Sequence, residues 1–149
     1  MSVSKPTPKI SINGFVNNLY KRYIEASRKE EQKRKIEEVI SQLDIELGGT
    51  WIYDPKKACW EYIAMLPGRL EFKIREMWKY MFKNYEFVSA GIHVTTCEVE
   101  GQSFENEITG KYIAVETDDG YLNYVKVTEV DGVHVYLVVS DRRIEEDDP

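Results

Sequence analysis

The sequence is short of the residues that most often carry chemistry. It holds two histidines, His93 and His134, and two cysteines, Cys59 and Cys97, in 149 residues. Two cysteines exclude a disulfide framework, and the expectation is a reducing setting, cytoplasmic or otherwise intracellular, with a single Cys59–Cys97 bridge left open. His93 and Cys97 lie four apart in an expected strand, about 13 Å along it at ~3.3 Å per residue. That is too far for both to bind one zinc ion at ~2.0–2.3 Å. The longest apolar runs, such as "YIAML", are a few residues long, so none crosses a bilayer. The first residues, "MSVSKPTPKIS", have no apolar core of the kind a secretory signal needs. A glycine-rich phosphate loop, a nucleophile elbow and an H-E-x-x-H are all missing. The expectation is therefore no enzyme, no cofactor, no metal, no small-molecule ligand and no membrane association.

What is present is charge, unevenly divided. Residues 1–85 carry 16 Lys and Arg against 11 Asp and Glu, a balance of +5, while residues 86–149 carry 4 against 15, a balance of −11. Two halves of opposite sign suggest two surfaces with opposite preferences, or halves that attract one another.

The pattern along the chain divides it into a flexible arm (1–10), a helical, net basic half (11–85), an antiparallel β, net acidic half (86–142) and an acidic tail (143–149), sharing one core. Ser11 is a plausible N-cap, after which Ile12, Phe15, Val16, Leu19 and Tyr23 recur at helical spacing. The apolar pattern pauses over "SRKEEQKRK", 27–35, and resumes at Ile36, Val39, Ile40, Leu43 and Leu47, before Gly48-Gly49. With no Gly or Pro in the pause, one long helix over 12–47 with a solvated waist is expected, its middle or one end projecting towards another subunit. Asp54-Pro55 reads as a helix start for a second helix, 55–66, rich in Trp60, Tyr62, Ile63 and Leu66. Pro67-Gly68 ends it, and a third helix, 69–84, follows.

That third helix has a core stripe of Leu70, Ile74, Met77, Trp78, Met81 and Tyr85. Its other side sets Phe72, Tyr80 and Phe82 among Lys73, Arg75, Lys79 and Lys83, a combination that can hold phosphates and stack bases. The alternative is that Phe72 and Phe82 pack against the long helix, with lysine stems over them.

Beyond residue 86 the period becomes two, with strands punctuated by Gly and Asp. Asp131-Gly132 is the best hairpin signal, a two-residue type I′ turn that pairs Val130 with Val133 and Glu129 with His134. Carried on without interruption, that register pairs Val127 with Tyr136 and Val125 with Val138. One sheet face then holds Leu122, Tyr124, Val135, Leu137 and Val139. The other holds Val125, Val127, His134, Tyr136 and Val138, joined by Tyr112 if Asp119-Gly120 is also a two-residue turn. A sheet apolar on both faces must be covered twice, by closure into a barrel or by a second chain. The fold class is α+β, one long and two shorter N-terminal helices before a C-terminal antiparallel meander, compatible with a small five-stranded barrel.

The reading these features favour is a non-catalytic interaction or assembly protein, oligomeric, partnered by itself or by another protein through Tyr112, Val125, Val127, His134, Tyr136 and Val138. The alternative is a nucleic-acid-binding protein using Phe72, Lys73, Arg75, Lys79, Tyr80, Phe82 and Lys83.

Overall fold

The computed structural model describes residues 11–106 and 110–144, so the expected arm and most of the expected tail lie outside the described residues. Helix α1 (Ile12–Gln42) leads into β1 (Gly49–Asp54) and β2 (Cys59–Met65), then α2 (Gly68–Met81). The strands β3 (Tyr85–Thr95), β4 (Gln102–Asn106), β5 (Gly110–Thr117), β6 (Gly120–Val130) and β7 (Val133–Arg143) follow. All seven strands join one antiparallel sheet in the order β1-β2-β3-β7-β6-β5-β4. The sheet is open, with β1 and β4 as its edges, so the protein is α+β but not a five-stranded barrel.

The expected helix at 55–66 is a correction. Its residues form the turn and second strand of the β1–β2 hairpin, in which Trp51 faces Tyr62 and Tyr53 faces Trp60. A short apolar run has no period that separates buried helix from strand, and the Trp, Tyr and Ile it contains favour a pleated surface. The capping chemistry of Asp54 is present but closes a turn. Its Oδ1 accepts from the N–H groups of Lys56 (2.9 Å) and Lys57 (3.2 Å). Ala58 then takes φ 52°, which turns the chain back as β2. The sheet thus draws β2 from residues expected to be helical and β1 from the link expected between two helices.

The long helix forms as expected from its Ser11 cap, whose hydroxyl accepts from the Gly14 N–H at 3.1 Å. It ends at Gln42 rather than 47, because Ile45 and Leu47 pack against the core from an extended segment. Tyr62 Oη donates to the Leu47 carbonyl at 3.0 Å and pins that segment. Gly49 follows because a Cβ there would stand 2.3 Å from the Tyr62 ring.

One sheet face is covered by the helices. Ile36 and Val39 of α1 and Trp78 of α2 pack with Tyr62, Ala64, Ile92, Val94, Val135 and Val139. The 27–35 segment is not wholly a solvated waist. From Lys29 onward it lies on an aromatic ladder: the Lys29 carbonyl accepts from Trp60 Nε1 at 3.0 Å, and Lys29 Nζ sits 3.9 Å from the Tyr53 ring centre. Lys33 Nζ lies 5.1 and 5.3 Å from the Trp51 and Trp60 rings. Cation–π contact therefore seats lysines where periodicity had suggested only water.

The Asp131-Gly132 turn is as expected, with φ 50° and 78° and the Val130–Val133 and Glu129–His134 pairs. Past it the register shifts between Lys126 and Thr128. Lys126 opposes Tyr136, Val125 opposes Leu137, and Val127 bulges out. The other turn is Asp118-Asp119, pairing Thr117 with Gly120. A one-residue step moves a side chain to the opposite face, so both expected face sets are rearranged.

Candidate functional site

Among the described residues no three His, Cys, Asp or Glu side chains stand where they could hold a metal ion. The cysteines are joined: Cys59 and Cys97 form a disulfide with Cα atoms 5.5 Å apart, continuing the β2–β3 register in which Glu61 opposes Thr95. The pairing removes the ground on which a reducing compartment was expected. No helix among the described residues is long and apolar enough to cross a membrane.

The candidate interface set on the sheet is divided by the register. Val125 and Tyr112 share a rung with Leu137 on the helix-covered face, whereas His134, Tyr136 and Val138 project from the opposite one. Val127, in the bulge, is 61 % exposed, but Tyr136 is only 5 % exposed. The connection from β3 to β4 has to pass β7, β6 and β5, and its Glu98 raises the pKa of both Tyr136 and Lys126, which puts it on their side of the sheet. His93 Nε2 stands 3.4 Å from Glu61 Oε1 and its ring 5.5 Å from Tyr124. Burial holds the His93 imidazole below its ordinary pKa, against the opposing pull of the Glu61 carboxylate. His134 Nδ1 meets Glu129 Oε2 at 3.5 Å, the cross-strand polar pair that the sequence indicated.

The basic, aromatic set on α2 is also divided. Phe82 turns inward onto Trp78, ring centres 4.4 Å apart. Arg75 pairs with Glu71 at 3.3 Å and lies 5.3 Å from the Phe87 ring. Phe72 and Tyr80 do stand in solvent, 60 % and 79 % exposed, beside the exposed Lys73, Lys79 and Lys83. Phe72 is not packed against α1 as one expectation had it.

Among the described residues, the first half of α1 carries a run of exposed apolar side chains. Ile12, Phe15, Val16, Leu19, Tyr20 and Tyr23 are between 47 % and 74 % exposed. The helix is 31 residues long, about 46 Å at ~1.5 Å per residue. Its buried residues are Ile36 and Val39, and its contacts with the aromatic ladder begin at Lys29. The preceding turns extend past the sheet. Ile12, Val16, Leu19, Tyr23 and Ala26 alternate at spacings of four and three, the a/d seam of two heptads. The sequence had shown the helical spacing of these residues. It could not show that the sheet stops short of them.

A cavity of about 210 Å³ opens between α2 and the far strands, walled by Trp78, Phe82, Phe104 and Tyr112 and bounded below by Asn123 and Asp141. Sequence reasoning missed it, because its residues come from six separate elements. The one local signal was Asp141, a charged residue in phase with Val135, Leu137 and Val139 on the apolar face of β7.

No protein-family model, curated protein or solved structure matches this chain.

Proposed function

We propose that the protein is a non-catalytic assembly protein whose projecting half of α1 pairs with the same segment of a second copy. The observation that carries this reading is the exposed seam of Ile12, Val16, Leu19 and Tyr23, flanked by Phe15 and Tyr20. A two-heptad stripe of large apolar residues held in water by a docked helix lowers its free energy when another such stripe covers it.

The test is light scattering coupled to gel filtration in ~1 M salt, where the Debye length is about 3 Å and surface electrostatics are screened. The wild type is expected as a dimer or larger species, and Val16→Asp/Leu19→Asp as a monomer that keeps a folded far-ultraviolet circular dichroism spectrum but melts lower than the wild type. A wild type that stays monomeric, or a variant that stays dimeric, overturns the reading.

A second reading is favoured by Phe72 and Tyr80, exposed beside Lys73, Lys79 and Lys83. Stacking aromatics within a basic surface support nucleic-acid binding, which weakens steeply with salt and is lost in Lys73→Glu/Lys79→Glu/Lys83→Glu. Fluorescence polarisation with a labelled single-stranded oligonucleotide decides it.

A further inference from the structure

The cavity beside Asp141 has an unusual chemical balance. Its wall is a chain of aromatic rings: Trp78 and Phe82 lie 4.4 Å apart between centres, Phe82 and Tyr112 6.2 Å, and Phe104 and Tyr112 5.6 Å. Among the described residues no Lys, Arg or His lines it. The charged group in its lining is Asp141, 4 % exposed. Oδ2 of that carboxylate accepts from Trp78 Nε1 at 2.8 Å, but Oδ1 has no hydrogen-bond partner. The Asn123 amide donates one N–H to the Val139 carbonyl at 3.1 Å, and from there it also draws the Asp141 carboxyl downward, against burial.

Anchoring Trp78 accounts for one oxygen only. A carboxylate buried with its second oxygen unsatisfied costs stability, and burial accordingly pushes the Asp141 carboxyl above its usual range. Aromatic faces carry negative quadrupole potential, so each ring that turns a face to the opening acts with the same sign as the carboxylate on whatever enters. An anion is repelled by both. A neutral apolar molecule leaves the carboxylate as it was. A cation gains from both.

We propose that this cavity is an aromatic cage for a small organic cation, a protonated or quaternary amine, whose charge is balanced by Asp141. The volume lies below the ~300–1,000 Å³ of sites that enclose drug-sized ligands, which suits an ammonium headgroup with its remainder outside. The site is separate from the α1 seam and does not depend on assembly.

The test uses choline and its uncharged carbon isostere 3,3-dimethylbutan-1-ol at constant ionic strength, read by tryptophan fluorescence and by two-dimensional NMR of the indole N–H groups. Choline is expected to bind saturably, with the Trp78 N–H resonance moving most. The isostere should bind at least ~10-fold more weakly, the ratio that ~1.4 kcal/mol of charge recognition gives. Asp141→Asn should weaken choline at least ~10-fold and leave the isostere unchanged. Phe104→Ala, at the rim, weakens choline without removing the carboxylate and serves if the first variant fails to fold. Equal affinity for the two probes, no saturable binding of choline, or choline binding unaffected in both variants would each overturn the proposal.

Discussion

Reduction of the Cys59–Cys97 bridge should lower stability by an amount that the loop it closes sets. The cysteines are 38 residues apart, and the closed loop contains most of β2, all of α2 and β3. In the chain-entropy treatment the cross-link removes about 2.1 + 1.5R ln n cal/mol/K from the unfolded ensemble, which for this loop is ~13 cal/mol/K, or about 4 kcal/mol at 25 °C. Both cysteines are nearly buried, 4 % and 5 % exposed, and the bridge sits just past the Glu61–Thr95 pair, whose ladder holds the folded backbone without it. The loss therefore falls on the unfolded side. At ~2–4 °C per kcal/mol for a chain of this size, the melting temperature should drop by about 8–16 °C. The assay is urea unfolding of the wild type with and without a phosphine reductant, followed by tryptophan fluorescence. The urea midpoint should fall and the m-value should rise, because an unlinked unfolded chain exposes more surface. A free-energy difference under ~1 kcal/mol refutes the loop-entropy argument for this bridge.

Two further predictions concern close contacts. Gly49→Ala places a Cβ 2.3 Å from the Tyr62 ring and must displace the tyrosine that holds Leu47, so a loss of about 1–3 kcal/mol is expected in the same urea experiment. Asp141 has a folded pKa raised, chiefly by burial, so its contribution to stability is fully present below its unfolded pKa and is lost as pH rises through the folded value. Relative to Asp141→Asn, the ligand-free wild type should thus lose stability between acid and neutral pH. Paired unfolding curves from pH 3.5 to 7 check this, and a wild type that gains on the variant over that range contradicts it.

The two candidate surfaces make different demands on the same fold. The α1 seam belongs to turns that the sheet does not reach, whereas α2 is held to β3 by Leu70, Ile74 and Trp78 and presents Phe72 and Tyr80 outward. Assembly through the first leaves the second free. The opening between α2 and the far strands is independent of both.

Several of these features were legible in the residues. The α1 helix, its Ser11 cap, Leu70, Ile74 and Trp78 of the expected α2 stripe (Met77 of that stripe is 47 % exposed, and Tyr85 opens β3), the strands beyond residue 86 and the Asp131-Gly132 turn follow from local periodicity and turn chemistry. Local propensity decides such elements because each is long, or is marked by a residue with a special backbone need. The surplus aromatics of α2 were equally visible, but their fates were not. Phe82 turns into the cavity while Phe72 and Tyr80 remain in water, because the far strands lie beside one end of the helix only.

Tertiary structure alone decided the rest. The 55–66 stretch carries a helix-start signal and an apolar run that suits either state, and pairing with β1 and β3 made it a strand. The bulge at Val127 reassigned every face beyond it, since one extra residue inverts a period of two and no sequence signal marks the step. The disulfide and the Trp78–Asp141 contact join residues 38 and 63 positions apart. Contacts at that separation arise only when whole strands have found their neighbours, so the sequence by itself determined the long or turn-marked elements, and the arrangement of the sheet determined the state of 55–66 and what every element meets.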